Sequence, residues 1–133
     1  MTTVSFCPTN ELEEILVQLI SGRLAFTEFL KSLMDADVHA LSATDLHPDG
    51  TGFQPLLFDR DIGTLLAVFT SRDRGTMFSD RLPYCLTLNG RQFFGWIPAG
   101  FGIVLNPGST VGFEIPPEGV QNIRRDFVDM ENG

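Results

Sequence analysis

The sequence predicts a single domain over residues 1–133, of α/β or α+β class, with a mixed β-sheet flanked by helices and an N-terminal helical hairpin. Three observations predict it. Apolar residues recur at helical spacing in two segments before residue 35. From about residue 37 the pattern changes to short apolar runs bounded by Gly, Pro, Asn and Asp. Helical periodicity then returns between these runs, which calls for strand-to-helix crossovers and a layered domain.

Asn10 opens the first helix, with Glu13 three residues later as the partner expected of a capping box. Leu12, Ile15, Leu16, Leu19 and Ile20 form its apolar stripe, and Glu11, Glu14 and Gln18 face outward. Gly22 interrupts the pattern. A second helix from Leu24 to Met34 carries Phe26, Phe29, Leu30, Leu33 and Met34 on one face, completing a helical hairpin. Val38 to Leu41 reads as a short strand, followed by a loop over residues 42–53.

Pro55–Phe58 and Thr64–Phe69 read as a β-hairpin with a long turn through Asp59-Arg60-Asp61-Ile62-Gly63. The second strand is almost wholly apolar, as a central strand covered on both faces would be. Residues 71–81 suggest a helix capped by Ser71 and weakened by Gly75. Pro83–Leu88 is a strand candidate. Asn89 caps a short helix bearing Phe93, Phe94, Trp96 and Ile97, which Pro98 and Gly100 end. Strands at 102–105 and 111–115 follow. Pro116-Pro117 opens the last helix, with Val120, Ile123, Phe127 and Met130 inward and Gln121, Arg124 and Arg125 outward.

Composition excludes several function classes. A net charge of −8 argues against nucleic acid, whose phosphates need a dense basic face. Residues 1–50 hold eight acids against Arg23 and Lys31, whereas residues 72–91 hold Arg72, Arg74, Arg81 and Arg91 against Asp73 and Asp80. This asymmetry suits either an acidic partner or internal pairing of the two segments. Twelve Phe against one Tyr and one Trp point to an aromatic core rather than an aromatic binding surface. Two cysteines are too few for a disulfide framework. With no signal peptide and no run of ~20 apolar residues, a cytoplasmic location without membrane association is expected.

Catalytic and cofactor motifs do not emerge. Asp45 to Gly52 superficially resembles a calcium loop, but His47 replaces an oxygen ligand, Pro48 stiffens it, and Leu56 stands where a bidentate Glu is needed. It reads as a surface turn. His39, beside Asp37, reads as a structural hydrogen bonder, and Cys85 as a buried apolar thiol. No nucleophile elbow, Walker loop or dinucleotide fingerprint is present, so no enzyme activity, metal or cofactor is expected.

Two strand ends remain. One apolar strand runs into Thr70-Ser71-Arg72, and another into Asn106-Pro107-Gly108-Ser109. Asn tolerates positive φ, Pro fixes its own φ and Gly takes either sign, so the second junction is built for a turn. If the strands are parallel neighbours, their carboxyl ends form one surface. Thr70, Ser71, Arg72, Asn106, Gly108 and Ser109, with Trp96 near in sequence, are therefore the candidate binding residues. The plainer alternative is a cap at Ser71 and a tight turn at 106–108.

At these junctions the chain resembles the SseB N-terminal-domain family. The resemblance rests on Val68-Phe69-Thr70-Ser71-Arg72 and on Gly102-Ile103-Val104-Leu105-Asn106-Pro107-Gly108-Ser109. Asn10-Glu11-Leu12-Glu13, Pro55-Leu56, and Phe113-Glu114-Ile115-Pro116 with Val120 support it, over about residues 9–124. It implies a small bacterial module without assigned catalytic residues, whose relatives occur beside secretion and toxin systems. The expected function is thus a non-enzymatic interaction or accessory module with an unidentified protein partner. The alternatives are a small-ligand or catalytic pocket at the strand ends, or an immunity-type protein neutralising a basic toxin.

Overall fold

The computed structural model describes residues 8–45, 54–98, 100–108 and 111–129. The chain begins with helices α1 (Glu11–Ile20) and α2 (Phe26–Asp35), then strands β1 (Asp37–Ser42), β2 (Leu57–Arg60) and β3 (Gly63–Val68). A 3₁₀ segment (Arg72–Phe78), β4 (Tyr84–Asn89), α3 (Gly90–Trp96), β5 (Gly102–Leu105), β6 (Phe113–Ile115) and α4 (Pro117–Ile123) follow. Helix α4 runs on as a π-helical turn over Arg124–Asp129. The element order is the one the periodicities predict, save that a 3₁₀ segment stands where a helix is expected after β3, and the class is α+β.

The strands form two sheets. One is four-stranded in the order β2-β3-β5-β6, with β3 and β5 parallel and both outer pairs antiparallel. The other pairs β1 with β4 antiparallel. Reciprocal backbone bonds between His39 and Phe69 (2.9 and 2.7 Å) join β1 to the chain just beyond β3. The mixed sheet is therefore real, and a two-stranded sheet is attached at its end.

Strand β3 lies between β2 and β5, and its last four residues are buried. Leu66 and Val68 join the helix-covered core with Leu16, Phe29, Phe93, Phe94, Ile103 and Val120. Leu65 and Ala67 face a smaller core with Leu41, Phe69 and Val104. This two-sided burial is what its unbroken apolar run requires. Four phenylalanines, Phe29, Phe69, Phe93 and Phe94, are fully buried, so the aromatic composition serves the interior.

Several local expectations change. The β2–β3 turn is short, because Arg60 pairs with Gly63 and only Asp61 and Ile62 lie between. Pro55 precedes β2 and bridges Ser42 instead of starting the strand. Residues 71–81 are not an α-helix. The 3₁₀ segment covers Arg72–Phe78, and Ser71 makes no side-chain cap. Gly75 is buried there, where a Cβ would come within 3.0 Å of Leu41. Ile20 and Phe26, expected in the helical stripes, are exposed, although Phe26 stacks with Phe29 and meets Phe113 edge-on. The final strand begins at Phe113 rather than Val111. Most of the calcium-like segment, and Met130, lie outside the described residues.

Helix α3 begins as expected. Asn89 accepts from the Gln92 backbone (2.8 Å), and the Gln92 side chain accepts from the Asn89 backbone (3.2 Å). Gly90 sits so close to α2 that a Cβ would lie 1.9 Å from the Leu33 carbonyl oxygen, which explains a glycine there. Replacing Asn89 by Ala should destabilise the fold by about 1 kcal/mol through loss of the cap. Urea denaturation checks this; a change below about 0.3 kcal/mol would show that packing at Gly90 fixes the helix start without it. Among the described residues no helix is long and apolar enough to cross a membrane.

Candidate functional site

The parallel pairing of β3 and β5 brings the two strand ends together. Val68 pairs with Leu105, and the Asn106 backbone N–H donates to the Val68 carbonyl (2.8 Å). Past that point the side chain of Asn106 takes over from the ladder. Its Oδ1 accepts from the Thr70 backbone N–H (3.0 Å), while Nδ2 donates to the Thr70 hydroxyl (2.9 Å) and the Val111 carbonyl (3.3 Å). Asn106 holds φ at +54°, in the left-handed region that Asn tolerates better than most residues, and Gly108 follows at +86°.

Thr70 is the centre of this arrangement. The hydroxyl has a single proton, which it donates to Glu13 Oε2 (2.5 Å) while accepting from Asn106. The Thr70 carbonyl accepts from Asn10 Nδ2 (2.9 Å). Its N–H, carbonyl and hydroxyl are thus all engaged by side chains, Asn10 and Glu13 from the start of α1 and Asn106 from the end of β5.

Glu13 closes the network from α1. It is fully buried and forms a two-pronged ion pair with Arg74, Nη2 to Oε1 at 2.7 Å and Nε to Oε2 at 3.0 Å. Thr9 donates to Oε1 through its N–H (2.9 Å) and its hydroxyl (3.0 Å). Asn10 caps α1 by accepting from the Glu13 N–H (2.8 Å), as the sequence suggests. The reciprocal half of the predicted capping box is displaced: the carboxylate reaches Thr9, Thr70 and Arg74. Burial works to raise its pKa, but the donors from Arg74, Thr70 and Thr9 outweigh burial and hold it at about 2.

The sign of the resulting pH dependence follows directly. A carboxyl with a folded pKa near 2 and an ordinary value of 4.5 contributes stability that is complete above 4.5 and is lost as pH falls towards 2. The contribution is on the order of 3 kcal/mol. His39 acts in the same direction nearer neutrality. Burial, assisted by the charge of Arg72 and opposed by Asp37, lowers its pKa below 6.5, so protonation disfavours the fold. Denaturation of the wild type should show a loss of stability between pH 4.5 and 2 that Glu13→Gln lacks. Parallel curves for the two proteins would place the acid sensitivity elsewhere.

The other candidate residues are distributed as follows. Arg72 is exposed at the start of the 3₁₀ segment. The Ser71 hydroxyl is buried without a hydrogen-bond partner among the described residues. Gly108 is exposed, and a Cβ there would press on Met77. Ser109 lies outside the described residues. Trp96 is half-buried against Phe93 in the main core. Its helix leads to the amino end of β5, opposite Asn106, so the structure does not bring it to the junction. His39 is the structural hydrogen bonder expected, but its partner is the Thr87 hydroxyl across the strand pair (2.9 Å). The basic segment is partly paired with the acidic half, through Arg74 to Glu13 and Arg91 to Asp35 (3.6 Å).

Sequence reasoning missed Glu13, Arg74 and Asn10 as members of the network. A signal for Glu13 exists in the helical pattern, because it stands three residues before Leu16, at the margin of the apolar stripe. Two concavities flank the junction. Asn106 and Gly108 border one of about 510 Å³, with Phe58, Phe78 and an exposed Arg60–Glu114 pair on its other walls. Thr70 borders the other, of about 340 Å³, with Asn10, Asp37 and His39. No group of three or more His, Cys, Asp or Glu side chains suited to a metal occurs among the described residues.

These features define a small α+β domain whose two central parallel strands are locked at their carboxyl ends by buried side chains. The model of the SseB protein N-terminal domain matches residues 12–122, and the chain belongs to that family. No curated protein and no solved structure matches it.

Proposed function

We propose that this protein is a non-enzymatic interaction module, an accessory to a bacterial secretion or toxin system that acts in the cytoplasm. The observation that carries this reading is the closure of the junction on itself. A catalytic or small-ligand site needs polar groups left free to meet a substrate, and here Thr70, Asn106 and Glu13 bind one another. Buried networks whose members are all satisfied rigidify a fold. What they hold in place is the outer surface, where Gly108 borders one concavity and exposed Arg72 stands two residues from Thr70, which borders the other.

Affinity capture from the native lysate tests the proposal, with wild-type and Arg72→Glu baits. A defined partner retained by the wild type and depleted at least tenfold by the variant is the expected result. Identical captured sets, or none that survives a wash at moderate salt, would overturn the assignment of this surface.

A ligand-binding reading draws on one specific observation, the 510 Å³ concavity beside Asn106 and Gly108. A ligand present at 100 times its dissociation constant would stabilise the fold by about 2.7 kcal/mol. A thermal-shift screen of amino acids, nucleotides and small anions separates the readings; a reproducible shift abolished by Phe58→Ala would favour the ligand.

A further inference from the structure

The interaction reading places Arg72 and Gly108 on the contact surface and leaves open how far that surface extends and what else it recognises. We infer that a groove between α1, α2 and the start of β1 docks a short cationic, partly apolar segment of another protein. The inference rests on the interaction-module proposal and supplies the chemistry of one segment of its partner, apart from whatever Arg72 meets.

The groove consists of two clefts of about 340 Å³ each, which meet at Glu11, Leu12 and Ala36. Leu12 and Ala36, shared by the two clefts, and Ile15 along α1 form the apolar part of its floor, beside Asn10, Ser32, His39 and Thr70. Three carboxylates stand on its rim, Glu11 from the first turn of α1, Asp35 from the last turn of α2, and Asp37 from the start of β1. Glu11 and Asp37 make no ion pair among the described residues, and Asp35 meets only a long contact of 3.6 Å with Arg91.

Acidic side chains on a convex helix face need no explanation beyond solvation. Here they converge from three elements around a concave, partly apolar floor, so their fields add within one recess walled by low-dielectric protein. A basic segment would offset that mutual repulsion, and an apolar side chain between its cations would cover Leu12 and Ile15. An acidic or neutral apolar segment would bring no cation to offset the carboxylates on the rim. The net charge of −8 adds long-range attraction for a cationic partner. The positive charge of Arg72 acts on His39, which lines the cleft next to Asp37, and opposes the acidic field there.

The test uses the full chain and a blocked hexapeptide of sequence Lys-Leu-Leu-Lys-Leu-Lys, with a Gln-for-Lys analogue. Two-dimensional NMR at low salt should show saturable one-to-one shifts centred on residues 11–15 and 35–37, and no binding of the analogue. The E11Q/D35N/D37N variant should weaken binding at least tenfold. Ile15→Ser should weaken it comparably without changing charge, provided its spectrum remains that of a folded protein. For E14Q/E28Q, which removes two exposed acids outside the groove, the affinity should stay within twofold. Shifts spread over the whole acidic surface, or equal losses in E14Q/E28Q and the groove variant, would overturn the inference as unspecific charge attraction. A partner captured from lysate that binds E11Q/D35N/D37N undiminished would also remove this groove, while leaving the interaction reading intact.

Discussion

Replacing Glu13 by Ala should cost about 3–5 kcal/mol of folding stability, because it breaks a buried ion pair and leaves the other members of its network unmatched. Arg74 would lose its two contacts with the carboxylate, the Thr70 hydroxyl its acceptor, and the Thr9 N–H and hydroxyl theirs. For a domain of this size the loss is a large part of a stability of about 5–15 kcal/mol. Thermal melting should shift down by roughly 10–20 °C. Glu13→Gln should cost less, about 2 kcal/mol, since an amide oxygen can still accept from Thr70 and the Arg74 side chain, 19% exposed, can turn to water. Circular dichroism melts of the two variants check the ranking. Equal, small shifts would mean that the carboxylate is not structural.

The second large effect belongs to Asn106. An Ala there removes the acceptor of a buried Thr70 N–H and the donor to its hydroxyl, and puts in the left-handed region a residue without the short polar side chain by which Asn tolerates it. The first loss costs about 1–3 kcal/mol and the second adds about 1 kcal/mol. Asn106→Gly removes the same hydrogen bonds but adopts the same φ freely. It should therefore be about 1 kcal/mol more stable than Asn106→Ala despite being the smaller residue. Guanidinium denaturation measures both. If the Gly variant is the weaker of the two, the backbone at residue 106 is not what makes Asn necessary.

The way these residues divide explains how much the sequence could reveal. Apolar spacing carried the fold, because Leu12, Leu16, Phe29, Leu33, Phe93 and Ile97 answer to a period of 3.6 whatever their partners are. Turn chemistry located the end of β5, since Asn106 and Gly108 take positive φ as their residue types allow. The helix from 71 failed for a local reason. Burial of Gly75 against Leu41 and Phe69 leaves a tighter 3₁₀ path, and no amphipathic stripe in the sequence marks that choice.

The roles at the junction were less legible. Thr70 and Asn106 were identifiable as neighbours if the strands ran parallel, but strand order is a tertiary property that no local pattern encodes. Glu13 and Arg74 lie 61 residues apart, and an ion pair at that separation leaves no spacing rule to read. Burial is what turned candidate binding groups into structural ones. Trp96 was grouped with them by sequence proximity alone, and the topology sends its helix to the other end of β5.

The central claim is that the side chains joining α1, β3 and β5 act together to hold the fold. A double-mutant cycle on Glu13→Gln and Thr70→Val by urea denaturation tests it most directly. The account predicts that each substitution destabilises by more than about 1 kcal/mol and that the two effects fall short of additivity by about 1 kcal/mol or more, as for residues in one network. Additive effects, each below about 0.5 kcal/mol, would contradict it and return Thr70 to the list of groups free to bind something else.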